Sequence, residues 1–263
     1  AVIRRLLERL ASSSRIDLAC REVWLSQCLE KKREWQSFKA GRLACPPLPD
    51  PMWARPVLTQ PVAIGVVARL AKEVGAVKYF DAGDVQANGF QIVEDDCSGE
   101  TFTESGASYM GFAVSALLAS AAVDKPRHAI AFTGDGSFMM NPQVLIDAIE
   151  HRARGTIVLF DNRRMAAITG LQRAQYSAEF ATNDSVSVDY VQLAGAVGGV
   201  LALPGGNTVP DLEAALLRAV AHNGLSLVHV PVYAGDDPRG GMGAYGSWNV
   251  GNWVADVQSR YLA

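Results

Sequence analysis

Long hydrophobic runs are missing from this 263-residue chain: no apolar stretch approaches the ~20 residues that a membrane-spanning helix needs. Charge of one sign is scarce as well. Lys and Arg number 24 against 27 Asp and Glu, a formal net charge of -3, and the basic residues are scattered rather than clustered. That distribution gives no electrostatic footprint for nucleic acid or an anionic membrane. Cysteine is sparse, and Cys20, Cys28, Cys45 and Cys97 form no CxxC pair and no His-interleaved ligand spacing. Neither a zinc module nor a disulfide framework is indicated, and a soluble protein of the reducing cytoplasm is expected. The opening AVIRRLLERL is amphipathic and too charged for the apolar core of a secretory signal. What remains is a globular composition, 49% hydrophobic, able to bury a sizeable core in one large domain with or without an appendage.

Residues 1 to about 40 carry helical periodicity, with Leu6, Leu7 and Leu10 on one face and Trp24, Cys28 and Trp35 spaced for another, which predicts two helices. The proline-rich CPPLPDPMWARP follows and sustains neither a helix nor a central strand, so residues 1–55 are read as a helical appendage and 56–263 as the main domain. From Leu58 onward helices alternate with short apolar strands. The predicted order is a helix near 60–74, the strand KYFDAG, a small-residue helix near 109–123, the strand HAIAFTG, a helix near 141–152, the strand TIVLFDN, a helix near 189–197, the strand GVLAL, a helix over 210–222 and the strand LSLVHVPV. Continuous apolar strands between helices imply a doubly wound α/β domain, a parallel sheet with helices on both faces. Ligands of such sheets sit beyond the C-terminal ends of the strands, where the winding reverses.

Two predicted strands end in polar clusters, Gly134-Asp135-Gly136-Ser137 and Asp161-Asn162. The first places a carboxylate in a glycine turn, where backbone N–H groups can approach a ligand and the following helix points its positive end at an anion. The second adds a carboxamide oxygen. A carboxylate, a carboxamide and a loop carbonyl are hard oxygen ligands suited to Mg²⁺, which completes its octahedron with phosphate oxygens and water. Gly-Asp-Gly alone is a common turn former. The combination is far more specific: Asp135 at one strand end, Asn162 27 positions on at the next, and a strand–helix–strand between.

That combination, within AFTGDGSFMMNPQVLIDAIEHRARGTIVLFDNRRMAAITGLQ, resembles the diphosphate-binding domain of thiamine-diphosphate enzymes. TESGASYMGFAVSALLASA is similar to the family's glycine-rich turn and small-residue helix, and YFDAGDVQANGF to the loop after its preceding strand. The three segments match in order over roughly 58–235, and WLSQCLEKKREW with its prolines is similar to the stretch joining the family's middle domain to this one. The chain thus resembles a C-terminal half. The resemblance implies thiamine diphosphate and Mg²⁺ as cofactors and leaves FAD open. It gives Asp135 and Asn162 as side-chain ligands of Mg²⁺ and Arg164 as a ligand through its backbone carbonyl. Gly134, Gly136 and Ser137 would wrap the diphosphate, with Ala82, Gly83, Asp84 and Val85 touching it from the earlier loop. Many relatives carry Asn or Gln and then His where this chain has Asp84 and Val85, and an acidic Asp84 is repelled by a diphosphate unless a cation or donor intervenes. Met110, beside Ser108 and Tyr109, falls where the family bends its cofactor over a bulky apolar residue. Met165 and Ala166 would line the thiazolium, and Tyr109 and Gln172 face the substrate by position alone. His128, His151, His222 and His229 each have a structural or surface reading.

The family's activating Glu lies on a pyrimidine-binding domain that nothing in this chain resembles. The resemblance therefore implies a second polypeptide carrying the pyrimidine-binding and middle domains, in a hetero-oligomer such as a dimer of dimers. It implies a small-molecule 2-oxo acid or dione as substrate. ESGASYMGF, DNRRMAAITGLQ and the late GAYGSW are similar to the hydrolases of cyclic diones, and the core is also similar to acetolactate synthases, which decarboxylate one oxo acid and join the remainder to another. Decarboxylation with carboligation is placed first as the broader class. A regulatory module that keeps the fold, and a phosphotransfer domain using Asp161, are the readings of other kinds; the latter lacks a second carboxylate after Asp161.

Overall fold

In a computed structural model that describes residues 2–11, 18–104, 106–182, 186–237 and 239–240, the chain divides into two compact units, Ala1–Gly41 and Arg42–Ala263. The first contains α1 (Val2–Ala11) and most of α2 (Leu18–Leu43), the two helices that the leucine and tryptophan spacing predicts. Leu6, Leu7 and Leu10 of α1 and Trp24, Leu29 and Trp35 of α2 are exposed.

The proline-rich segment belongs to the second unit. It folds into a two-stranded antiparallel ribbon, β1 (Leu48–Asp50) and β2 (Arg55–Val57), short enough that proline does not interrupt a ladder. Asp50 makes the turn by accepting from the N–H of Met52 at 2.8 Å, and its other oxygen takes the N–H of Ala234 at 2.9 Å.

The elements that follow are α3 (Gln60–Glu73), β3 (Val77–Phe80), α4 (Asp84–Ile92), β4 (Thr101–Thr103), α5 (Phe112–Ala116), α6 (Ala119–Ala122), β5 (Ala129–Gly134), α7 (Asp135–Phe138), α8 (Val144–Glu150), β6 (Gly155–Asp161), α9 (Ala166–Tyr176), α10 (Tyr190–Gly195), β7 (Leu201–Pro204), α11 (Val209–Ala221) and β8 (Leu225–Pro231). Helix starts follow from local chemistry. Thr59 and Thr208 cap α3 and α11 through their hydroxyls, each with a proline in the first turn, and Asp189 caps α10 through its carboxylate.

Six strands form one parallel sheet in the order β4-β3-β5-β6-β8-β7. The middle strands are buried on both faces, which is why AIAFTG and GTIVLFD read as unbroken apolar runs. On one face Phe80, Phe132 and Phe160 stack across neighbouring strands at 4.2 and 6.0 Å between ring centroids, under α3, α4 and α11. The other face packs Ala131, Ile157, Leu159 and Leu227 against α5, α8 and α10. Each fully buried ring or aliphatic side chain contributes about 1.5–3 kcal/mol, so these two layers carry the fold.

Several features depart from the predicted order. The segment after β3 is not one long loop, because α4 begins at Asp84. The small-residue helix is broken into α5 and α6 around Leu117 and Leu118. The short edge strand β4 and the helix α9 were not predicted. The chain runs from β3 out to β4 and then back across to β5, so the winding reverses between β3 and β5. Among the described residues no helix is long and apolar enough to cross a membrane.

Candidate functional site

A cavity of about 270 Å³ opens beyond the C-terminal ends of β3, β5 and β6, at that reversal. It lies just under the roughly 300–1,000 Å³ of a complete small-molecule site. Its wall contains Ala82, Gly83, Asp84 and Val85 after β3, Ser108 and Met110 before α5, Gly134, Asp135, Gly136 and Ser137 after β5, and Asn162, Arg164, Met165 and Ala166 after β6. Of the residues expected around a cofactor, Tyr109 alone does not line it. Its side chain is exposed and its N–H is turned to Glu104 at 3.1 Å, because that carboxylate gathers the turn by also accepting from Gly106 and Ala107. Those backbone donors, Ala107 first, hold the Glu104 carboxyl below the usual carboxylate range. Gln172 is likewise engaged elsewhere: its side-chain amide donates to Phe180 O at 3.1 Å and accepts from Phe180 N at 2.8 Å. The late GAYGSW string lies outside the described residues.

Three helices begin on this cavity: α4 after Gly83, α7 after Gly134 and α9 after Met165. None is closed by a hydrogen bond from its N-cap side chain. Helix starts present N–H donors and a partial positive charge to an anion, strongest for the nine-residue α4 and eleven-residue α9 and weak for the single turn of α7. Gly83 needs its missing Cβ, since φ is +94°. At Gly136 a Cβ would sit 3.4 Å from Met110 Cε, so the Met110 side chain lies over the glycine turn.

Asp135 and Asn162 are buried, at 4% and 5% exposure, yet both face the cavity. The loop carrying Asn162 is shaped by two successive side-chain turns. Asp161 Oδ1 accepts from Arg163 N at 3.0 Å, and Asn162 Oδ1 accepts from Arg164 N at 3.0 Å. Between them Arg163 adopts φ +51°, which costs a non-glycine residue about 1–2 kcal/mol. A carboxamide oxygen has two lone pairs, so the Arg164 N–H leaves one on Asn162 for a cation. Asp135, Asn162 and the Arg164 carbonyl make a sparse set of hard oxygens, and among the described residues no group of three or more His, Cys, Asp or Glu gathers. Such a set fits a cation that relies on phosphate and water for its remaining ligands, as Mg²⁺ does.

Sequence reasoning missed Gln60, Phe160, Ala167 and Ile168 in the wall. Gln60 was legible only as a polar residue opening an apolar helix. It is 1% exposed beside a buried polar pair, Arg42 Nη2 donating to Asn88 Oδ1 at 2.7 Å, and its side-chain amide lies against Asn88 and against Asp84 Oδ2. Arg42 can only donate, which turns the Asn88 oxygen toward itself and its NH₂ toward Gln60. Asp81, just before the site at the end of β3, accepts from Ala113 N at 3.0 Å and so ties β3 to the start of α5. Burial pushes its carboxyl up, against hydrogen bonds from Thr133 and the Gly111–Ala113 backbone. Asp161 does not line the cavity and is 3% exposed in its side chain, which removes the support for a phosphotransfer nucleophile there.

Residues 81–230 match the family described as thiamine pyrophosphate enzyme, C-terminal TPP binding domain. The chain belongs to that family. Among curated thiamine pyrophosphate (thiamine diphosphate) enzymes it is 34% identical over 161 residues to 3D-(3,5/4)-trihydroxycyclohexane-1,2-dione hydrolase of Shouchella clausii, covering 59% of this chain and 24% of that protein. It is 34% identical over 164 residues to the Bacillus subtilis hydrolase, covering 60% and 24%. Against the acetolactate synthase isozyme 1 large subunit of Escherichia coli it is 27% identical over 206 residues, covering 78% and 36%. The chain thus spans about a quarter to a third of the length of these relatives. Benzoylformate decarboxylase from Polynucleobacter necessarius shares the fold, with a TM-score of 0.60 at 18% identity over 68% of this chain and 34% of that one.

Proposed function

We propose that this chain is the diphosphate- and Mg²⁺-binding half of a thiamine-diphosphate enzyme that makes or cleaves carbon–carbon bonds beside a carbonyl. The observation that carries this reading is the meeting, in one cavity at the winding reversal, of three helix starts with Asp135, Asn162 and Arg164. Asp135 and Asn162 ligate Mg²⁺ through side-chain oxygens and Arg164 through its carbonyl. Gly134, Gly136 and Ser137 offer the diphosphate their backbone, and Ala82–Val85 close it from the α4 side. Met110, with Met165 and Ala166, gives the ring an apolar seat. Bound thiamine diphosphate supplies a carbon nucleophile for the substrate carbonyl and an electron sink for the adjoining bond.

The rest of the site comes from a second polypeptide that carries the pyrimidine-binding domain with its activating Glu, and the middle domain. Support comes from the cavity volume and from apolar side chains left exposed near the opening, Met165 and Ile168, and along α1 and α2. A hetero-oligomer follows. For the substrate, the higher identity favours hydrolytic ring cleavage of a cyclic 1,2-dione over acetolactate-synthase-like decarboxylation and carboligation of 2-oxo acids; the longer alignment favours the latter. Assay of the chain with and without the polypeptide that co-purifies with it, on a cyclic 1,2-dione and on pyruvate, tests both points. Turnover is expected only in the joint preparation and with thiamine diphosphate and Mg²⁺ present. Turnover by the pure isolated chain would overturn the two-polypeptide reading; dione cleavage alone would select the hydrolytic reading, and release of CO₂ from pyruvate alone the decarboxylating one.

A further inference from the structure

Next to the loop that carries Asn162, and outside the cavity, lies a part-buried histidine–aspartate pair that the proposed chemistry does not use. His229 Nε2 is 2.9 Å from Asp161 Oδ2, with the two side chains 14% and 3% exposed. The pair joins neighbouring strands: β6 lies beside β8 with Leu159 opposite His229 and Asp161 opposite Pro231. The imidazole is held in place from two sides, with Tyr190 at 5.5 Å and Trp53 at 6.0 Å between ring centroids. Asp161 is the last residue of β6, and every acceptor group it has is committed to the loop or to β8. Oδ1 takes the Arg163 N–H, Oδ2 takes His229, and the backbone carbonyl takes the Val232 N–H at 2.9 Å.

The consequence for the loop follows from bond counting. Arg163 is at positive φ, a conformation that an arginine does not adopt unaided, and the Asp161 carboxylate supports it by accepting the Arg163 N–H. That carboxylate can rotate about its Cα–Cβ bond unless its second oxygen is anchored. His229 is the anchor. Asn162, one residue on, repeats the turn onto Arg164 N, so the aim of the Asn162 oxygen and of the Arg164 carbonyl depends on where Arg163 is set.

We propose that His229 is a positioning residue for the cation site: by donating from Nε2 to Asp161 it fixes the 161–164 loop in the form that presents Asn162 and the Arg164 carbonyl to Mg²⁺. The inference rests on the diphosphate- and Mg²⁺-binding reading above. Partners that orient first ligands from behind cost about 10–100-fold in metal affinity when removed, and this pair orients two candidate ligands at once.

The test measures the half-saturating Mg²⁺ concentration for binding of thiamine diphosphate, at one fixed concentration of the cofactor, by calorimetry on the full chain together with the polypeptide that co-purifies with it. Thermal unfolding is recorded for each protein. His229→Phe keeps a ring between Tyr190 and Trp53 and removes the donor; the half-saturating Mg²⁺ is expected to rise about tenfold or more. His229→Gln restores an N–H donor and is expected to return the value close to wild type. Should His229→Phe fail to fold, Asp161→Asn, which keeps an oxygen for Arg163 N and turns an NH₂ in place of an accepting oxygen toward His229 Nε2, takes its place with the same expected rise. A purely structural role would move the unfolding midpoint and leave the Mg²⁺ requirement alone. The proposal is overturned if the folded Phe variant, or Asp161→Asn in its stead, needs no more Mg²⁺ than wild type, or if Gln gives no recovery. A wild type that binds no thiamine diphosphate at any Mg²⁺ concentration overturns the parent reading instead.

Discussion

Gly111 shows how a single residue shapes the site. It sits at φ +91° as the N-cap of α5, immediately after Met110, and a Cβ there would come within 3.4 Å of Met140 Cβ and 3.5 Å of Ser137 O. Gly111→Ala is therefore expected to cost about 1–2 kcal/mol in urea unfolding and to weaken cofactor binding by displacing Met110 from the glycine turn; an unchanged unfolding midpoint would contradict the strained backbone. At this scale the sequence was informative where chemistry and backbone coincide. Gly134, Asp135, Gly136 and Asn162 were legible only together, since Gly-Asp-Gly alone is a common turn former and the Asn at the next strand end sets the combination apart. His229 was not: its partner Asp161 is 68 residues away, and no periodicity marks two residues that meet only because β6 and β8 are neighbours. Tyr109 was misplaced because Glu104, five residues earlier, turns that backbone outward.

At the scale of elements, the two middle strands were legible because burial on both faces leaves no polar alternation to misread. Helix α4 was hidden because Asn88 and Gly89 lower its intrinsic propensity. Packing overrides that: a Cβ at Gly89 would lie 2.3 Å from the Phe80 ring, so the glycine allows α4 to settle on β3. The junction between β3 and α5 depends on Asp81, buried and raised above the ordinary carboxylate range chiefly by desolvation. A group with a raised folded-state value stabilises the fold most when protonated. The stability of wild type relative to Asp81→Asn is thus expected to fall as pH climbs from the ordinary carboxylate range through the raised value. Urea unfolding of both proteins across acid pH measures this, and a difference that grows with pH would show that the backbone donors of Gly111–Ala113 outweigh burial.

For the molecule as a whole, the parallel sheet, its order and the reversal between β3 and β5 bring Gly83, Gly134, Asp135, Asn162 and Arg164 to one cavity, which is how a doubly wound sheet collects a site from distant segments. The alternation of helices and apolar strands made that architecture legible. The proline-rich ribbon was not, since three-residue strands leave no pattern, and its place depends on Asp50 reaching Ala234. The central claim is that this cavity holds a diphosphate through Mg²⁺ on Asp135 and Asn162. Calorimetric titration of thiamine diphosphate into the chain, prepared with its co-purifying polypeptide, tests it most directly, with Mg²⁺ and with chelator, for wild type and Asp135→Ala. The account predicts binding that requires Mg²⁺ and falls by at least about 100-fold in the variant, and equal binding by both proteins, or none by wild type with Mg²⁺ present, would contradict it.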